Sequence, residues 1–237
     1  MGILYEDKIT PISEGEAAYA LRESWKKIYG EYPSLDSLAL LWAQWALETG
    51  RGKAIHWYNF GNIKRSGDED YCMFRCNEII KGKVVWFDPP HRQTWFRAYP
   101  SVIEGAYDYL IFLSKRSRYQ KAWEILKQGD VYGFSHELKV AGYYTANEEQ
   151  YTKSLASLAR EFKNKSSVIL KWQPSPSKQI LPEPEQTPVS IEKPTTEKPI
   201  SAEESTKVEV PIVKKSFFQV LLEIFFPRTD NCKSVEK

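Results

Sequence analysis

The residue of this sequence best placed to do chemistry is Glu48, near the end of an apolar run that also contains Trp42 and Trp45. If the run is helical, the Glu48 carboxylate faces the negative end of the helix dipole and has apolar neighbours. Both effects penalise the ionised form, so we expect the pKa of Glu48 to be raised. A carboxyl group that keeps its proton near neutral pH can act as a general acid. The alternative is an ordinary, exposed glutamate at a helix end.

Helical patterns define the elements that must position this residue. The spacing predicts a helix over 34–49, which begins at Ser34 as N-cap and stops at Gly50. An earlier helix over 14–30 begins at a capping box formed by Ser13 and Glu16. Further helices are predicted at Val102–Lys115, Tyr119–Lys127, Tyr132–Ala141 and Glu148–Asn164.

The helical period is lost between residues 66 and 98, where glycine and proline interrupt the chain. Alternating segments at Lys83–Phe87 and Thr94–Ala98 predict a β-hairpin or a small sheet. The fold class is therefore α+β and mainly helical, with one β lobe in the first half of the domain.

Four short motifs occur along the chain in a particular order. They are Ala46–Gly52, Tyr58–Lys64, Phe96–Tyr99 and Ala141–Thr145, with Tyr151 beyond the last. Together they resemble glycoside hydrolase family 73, the glucosaminidases of the lysozyme superfamily, over roughly Ser13 to Phe162. The resemblance implies a lysozyme-like domain with a β-hairpin lobe. It also implies an enzyme that cleaves β-1,4 bonds of the peptidoglycan glycan strand.

The resemblance further implies roles for individual residues. Glu48 would be the catalytic acid, and Glu78 in the hairpin would be a second carboxylate, acting as base or ion-pair stabiliser. Rivals to Glu78 within the lobe are Asp68, Glu69 and Asp70. The implied substrate-binding residues are Tyr58, Asn59, Phe60 and Tyr143. Structural alternatives remain for these positions: a solvated hairpin charge for Glu78, a simple turn for Asn59 and a core tyrosine for Tyr143.

The sequence departs from the family pattern in two places. Arg51 stands where the family usually has an aromatic residue between two glycines, and an insertion around 146–150 lengthens a loop. Cys72 and Cys76 form a lone Cys-x3-Cys, for which His56 and His91 are the nearby candidates to complete a zinc site. Free thiols or a local disulfide are favoured, so neither a metal nor a cofactor is expected.

Composition excludes several other classes of protein. A net charge of +2, from 33 basic and 31 acidic residues, gives no electrostatic footprint for nucleic acid. The sequence shows no apolar run of the ~20 residues that a membrane span needs. Residues 1–10 do not form a secretory signal, because Glu6, Asp7 and Lys8 interrupt any apolar core. We therefore expect the protein to reach the cell wall or periplasm by lysis or by delivery, as in a phage or a related particle.

The composition changes sharply after Trp172, so the catalytic domain is predicted to cover residues 1–172. Residues 173–211 contain no aromatic residue and eight of the 14 prolines, which predicts an extended linker. Residues 212–237 form a C-terminal segment whose run Ser216–Phe226 is apolar except at Gln219 and Glu223. As a short amphipathic helix, this run would fold back onto the domain, dock on a protein partner or bind a membrane surface.

The leading interpretation is thus a peptidoglycan hydrolase that uses Glu48 as general acid. The alternative is a non-catalytic glycan-binding or structural module of lysozyme-like fold, tethered by its C-terminal peptide. The two differ in what a Glu48→Gln substitution does, because an amide cannot donate the proton.

Overall fold

The computed structural model describes residues 2–80 and 83–175, and its principal elements are helices. They are α1 (Glu14–Tyr29), α2 (Leu35–Thr49), α3 (Val102–Lys115), α4 (Gln120–Lys127), α5 (Val131–Val140) and α6 (Glu148–Ile169). All six predicted helices are confirmed, and α6 runs five residues beyond its predicted end. None of these described helices is both long and apolar enough to cross a membrane.

The ends of α1 and α2 follow directly from their capping residues. Ser13 Oγ accepts the Glu16 backbone N–H at 3.1 Å, and Ser34 Oγ accepts that of Ser37 at the same distance. Gly50 ends α2 with a left-handed φ of 56°, a conformation that glycine adopts at little cost. Every residue from Ser37 to Thr49 is buried, so α2 is the central helix of the domain.

Two small sheets make up the β lobe. The strands are β1 (Leu4–Tyr5), β2 (Tyr71–Met73), β3 (Cys76–Ile80), β4 (Lys83–Phe87) and β5 (Trp95–Arg97). One sheet has the order β1-β2-β5, with β1 parallel and β5 antiparallel to β2; the other is the antiparallel hairpin of β3 and β4. The segments predicted to be extended are confirmed, but they pair with other strands and not with each other.

One hydrophobic core joins the helices. In it α2 packs against α6, and α1 packs against α3. After α6, the chain returns to α1, where the Trp172 ring lies 5.3 Å from that of Tyr19. The side chain at position 15 must be small, because a Cβ on Gly15 would lie 2.6 Å from Trp172 Cβ. The predicted C-terminal helix and all but the first residues of the linker lie outside the described residues, so the domain boundaries stay a prediction.

Candidate active site

Glu48 occupies the last turn of α2 and is only 3% exposed. The structure therefore excludes the alternative of an exposed helix-end glutamate. The Glu48 carbonyl accepts a hydrogen bond of 2.6 Å from Asn62 Nδ2, although the last carbonyls of a helix lack partners within it. A buried carboxyl group at a helix C-terminus lies where an added negative charge is disfavoured.

Three fully buried tyrosines from different elements converge around Glu48. They are Tyr109 on α3, Tyr143 after α5 and Tyr151 on α6. Burial and, second to it, the negative charge of Glu48 raise the pKa of all three phenols well above the ordinary value. The phenols therefore stay protonated and provide hydroxyl groups near the carboxyl group. Tyr143 is both a core tyrosine and a neighbour of Glu48, and its contact with a sugar stays a prediction.

Sequence reasoning missed a polar partner of this group, Gln44. It precedes Glu48 by one helical turn, is fully buried, and accepts a hydrogen bond from the Tyr109 hydroxyl through its Oε1. The spacing of the sequence could have indicated Gln44, because a residue four positions before Glu48 lies on the same face of the helix. Only the tertiary structure, however, brings Tyr109 to that face.

Residues 59–64, here named the connecting loop, join Glu48 to the β lobe. The Asn59 amide donates to the carbonyls of Ile63 at 3.0 Å and Arg97 at 2.9 Å, and its Oδ1 accepts the Ile63 N–H at 2.8 Å. Asn62 adopts a left-handed φ of 46° as it reaches the Glu48 carbonyl. Asn59 thus uses one amide proton to fasten the loop to β5 and the other to bond Ile63 within the loop, a role in positioning the site.

Besides Tyr143, two aromatic residues were predicted to contact substrate, and they lie at different depths. Phe60 is fully buried, with its ring centroid 6.0 Å from that of Trp45 and 6.4 Å from that of Tyr109. In this structure it supports the site from within the core. Tyr58 is half-buried at a left-handed φ of 53°, and its backbone N–H donates to Thr10 Oγ1 at 2.8 Å. A sugar contact by Tyr58 stays a prediction.

Glu78 on β3 is as buried as Glu48, with 3% exposure. Its Oε1 lies 3.3 Å from Nζ of Lys64, the last residue of the connecting loop. This burial excludes the alternative of a solvated hairpin charge. The connecting loop therefore contacts both glutamates: Asn62 donates to the backbone of Glu48, and Lys64 pairs with the side chain of Glu78.

Comparison with known proteins identifies the family to which this arrangement belongs. The sequence profile of the Glucosaminidase family, described as mannosyl-glycoprotein endo-beta-N-acetylglucosaminidase, matches residues 23–164, more than half of the chain. The chain belongs to this family. It is a glycoside hydrolase, and the resemblance inferred from its motifs is confirmed. Comparison with curated protein sequences gives no match.

Three solved structures are similar to this chain to different degrees. A mutant peptidoglycan hydrolase from Sphingomonas sp. A1 is 24% identical, with a TM-score of 0.50 over 65% of this chain and 98% of its own. A C-terminally truncated glycoside hydrolase domain of FlgJ from Salmonella typhimurium is 22% identical, with a TM-score of 0.44 over 63% and 94%. The catalytic domain of the autolysin Auto from Listeria monocytogenes is 20% identical, with a TM-score of 0.45 over 69% and 89%. The Sphingomonas structure confirms the α+β, lysozyme-like fold.

The rival carboxylates of the β lobe have other surroundings. Glu69 pairs with Arg97 and accepts the Gly67 N–H at 2.6 Å; these contacts lower the pKa of Glu69, although burial opposes them. Asp70 accepts the Ile3 N–H at 2.8 Å and so fastens the N-terminal strand β1. Asp68 is exposed. The enzyme therefore uses Glu69 and Asp70 to build the lobe, which leaves Glu78 as its buried carboxylate beside the connecting loop.

Arg51, the first departure from the family pattern, has a structural role. Its guanidinium contacts Glu14 at 2.9 Å and Glu161 through two hydrogen bonds of 2.6 and 3.1 Å. These contacts tie the turn after Glu48 to α1 and α6. The insertion around 146–150 is absorbed into the start of α6, whose first turn is capped by Asn147 Oδ1.

The two cysteines of the lobe, Cys72 and Cys76, are buried free thiols. Burial raises the pKa of Cys72 to about 12, so this thiol is unreactive near neutral pH. His56 stacks on Phe74 and lies 2.6 Å from Asp7. Within residues 2–80 and 83–175, no group of three or more His, Cys, Asp or Glu side chains could hold a metal ion.

Proposed function

We propose that this enzyme hydrolyses β-1,4 glycosidic bonds in the glycan strand of peptidoglycan, with Glu48 as general acid. The observation that carries the proposal is the burial of Glu48 at the C-terminus of α2, within a chain of the glucosaminidase family. The proteins of similar fold from Sphingomonas are described as peptidoglycan hydrolases, which supports this choice of substrate.

The surroundings of Glu48 support its role in the reaction. Its carboxyl group transfers a proton to the glycosidic oxygen as the bond between that oxygen and the anomeric carbon breaks. Water supplies the hydroxyl group that ends on the anomeric carbon, and the proton released from the water returns the pair of carboxyl groups to its starting charge. As the proposed acid, Glu48 starts this step with its proton, and its place at the helix C-terminus supports that role because a full negative charge is disfavoured there.

Glu78 is proposed as the second carboxylate, acting as base or as stabiliser of the positive charge that develops on the sugar. Its ion pair with Lys64 at 3.3 Å supports an ionised side chain. This assignment is compatible with three mechanisms of hydrolysis: inversion, retention, and assistance by the N-acetyl group of the sugar. In each of them, a negative charge near the anomeric carbon favours the transition state.

Digestion of purified sacculi tests the reaction. We expect the wild-type enzyme to release soluble fragments whose new reducing ends, identified by mass spectrometry, are N-acetylglucosamine or N-acetylmuramic acid. The matched control is Glu48→Gln, which keeps the shape of the side chain and removes the transferable proton. Glu48→Gln should remain folded by circular dichroism and release no fragments. Fragment release by Glu48→Gln at the wild-type rate, or no release by the wild type, would contradict the proposal.

We further propose that residues 173–237 locate the enzyme, as part of a phage or a related particle, and contribute nothing to hydrolysis. The proline-rich composition of 173–211 and the apolar run Ser216–Phe226 support this division of labour. Deletion of residues 173–237 should leave the rate of fragment release from sacculi unchanged and abolish association with a particle or partner. A folded but inactive truncated enzyme would argue against it.

A further inference from the structure

Lys64, the last residue of the connecting loop, is partly buried against the β lobe, and the proposed reaction gives it no role. Its ammonium group lies 3.3 Å from Glu78 Oε1 and 3.4 Å from Cys76 Sγ, and it donates to the Gln93 carbonyl. The Phe96 ring covers it, with the ring centroid 3.9 Å from Nζ. The three N–H donors of this lysine therefore have three acceptors, of which one is the buried carboxylate.

Most of these contacts do not depend on Glu78. The Gln93 carbonyl and the Phe96 ring hold the ammonium group, and the backbone of Lys64 forms a β-bridge with Phe96. The positive charge is thus preorganised beside the position that the Glu78 carboxylate occupies. The Cys76 thiol also faces this pair, and burial raises its pKa, so it contributes no charge near neutral pH.

The cation has a direct consequence for the protonation of Glu78. A glutamate that is 3% exposed loses most of its hydration, which by itself favours the neutral acid. An ammonium group about 3–4 Å away reverses this preference, because the two charges attract strongly where water is excluded.

We propose that Lys64 is a positioning residue that keeps Glu78 ionised and thereby sets the acidic limit of the enzyme's activity. The inference rests on the proposed function, since it assumes that Glu78 must be a carboxylate during the reaction. Lys64 itself need not touch the sugar; it acts through Glu78.

The test is the pH dependence of fragment release from sacculi by Lys64→Met and Lys64→Arg. Lys64→Met removes the charge and retains most of the side-chain volume, so Glu78 should take up a proton at higher pH. We expect the acidic limb of the rate profile to move to higher pH by at least about one unit. At a fixed pH on that limb, the rate then falls about tenfold. Lys64→Arg keeps the charge, and its acidic limb should stay at the wild-type pH whatever its absolute rate.

A matched control comes from another lysine paired with a buried glutamate. Lys121 Nζ lies 2.7 Å from Glu137 Oε1, on the helical side of the molecule. Lys121→Met should leave the pH profile unchanged. If Lys64→Met lowers the rate equally at all pH values and leaves the acidic limb at the wild-type position, Lys64 has only a structural role and the inference is wrong.

A double variant covers the case in which Lys64→Met alone fails to fold, because it leaves Glu78 buried without its cation. Lys64→Met combined with Glu78→Gln removes both charges and should be no less active than Glu78→Gln alone, since Lys64 acts only through Glu78. A further loss in the double variant would overturn the inference.

The outcomes also separate this inference from the proposed function. If Glu78→Gln is as active as the wild type while Glu48→Gln is inactive, the role of Lys64 is refuted and the hydrolase stands. If Glu48→Gln is fully active, both the proposed function and the role of Lys64 are refuted.

Discussion

The two buried glutamates of this enzyme, Glu48 and Glu78, are equally inaccessible to water but have different neighbours. Glu48 ends a helix and lies among protonated phenols, whereas Glu78 lies on a strand beside the ammonium group of Lys64. Burial at the negative end of the helix dipole disfavours a negative charge on Glu48, whereas the ammonium group of Lys64 favours one on Glu78. The comparison teaches that two side chains of the same type and depth differ in local charge, and the proposed division into acid and carboxylate depends on that difference.

The largest effect is expected at the acid. Glu48→Gln should lower the rate of fragment release by about 1,000-fold or more, at every pH, because no protonation state of the amide replaces the lost acid. The measurement is the initial rate of reducing-end release from sacculi between about pH 4 and 9. A Glu48→Gln variant with a rate only a few times below that of the wild type would remove the difference between the two glutamates.

A smaller loss is expected at the second carboxylate. Glu78→Gln should lower the rate by about 100-fold and abolish the acidic limb, since in the proposed reaction that limb reports the protonation of Glu78. The basic limb should stay at its wild-type pH, because the proposed reaction assigns it to the ionisation of Glu48. If the acidic limb survives in Glu78→Gln, another group sets it, and the assignment of roles must change.

The phenols around Glu48 supply the next prediction. Tyr109→Phe removes the hydroxyl that donates to Gln44 Oε1 and leaves this buried acceptor without that donor. We expect the free energy of unfolding to fall by about 1–3 kcal/mol, measured by urea denaturation. Tyr132→Phe is the control, because Tyr132 is largely exposed and should change stability little. Equal effects of the two substitutions would show that the hydrogen bond to Gln44 does not stabilise the surroundings of Glu48.

The sequence was sufficient to predict those elements whose structure is decided by interactions between neighbouring residues. Caps and apolar spacing predicted the helices, and the apolar helix that ends near Glu48 indicated a raised pKa for this residue but left an exposed glutamate as the alternative. Strand pairing was not predicted, because two-residue and three-residue strands carry little pattern and depend on distant partners. For the same reason, the pairing of Lys64 with Glu78 and of Gln44 with Tyr109 was missed. Each joins residues at least 14 positions apart in the printed sequence.

Asn59 and Phe60 show a further limit of sequence reasoning. Both belong to a motif that predicted contact with substrate, yet the Asn59 amide bonds the connecting loop to β5 and the Phe60 ring fills the core. A motif identifies residues that a site needs, but it does not separate those that touch a ligand from those that hold the loop in place.

The smallest effect concerns the clamp beside Glu48, in which Arg51 contacts Glu161 and Glu14. The hydrogen bond with Arg51 lowers the pKa of Glu161 to about 2, below its ordinary value of 4.5. The carboxylate therefore stabilises the fold above about pH 4.5, and this contribution is lost as the pH falls through about 2. Because both side chains are partly exposed, we expect this pair to contribute less than about 1 kcal/mol to the free energy of unfolding.

Thermal unfolding between about pH 2 and 6 measures this contribution, and the matched variants are Arg51→Met and Lys153→Met. Lys153 forms an exposed pair with Glu149, whose pKa is also lowered, chiefly by the hydrogen bond with Lys153. Arg51→Met should weaken the dependence of the melting temperature on pH, because Glu161 then keeps only Lys165 as a partner that lowers its pKa. It should also leave the acidic limb of activity in place, since we assign that limb to Glu78, which Arg51 does not pair with. A shifted acidic limb in Arg51→Met would mean that the surroundings of the two glutamates are coupled, and the contrast between them would no longer be local.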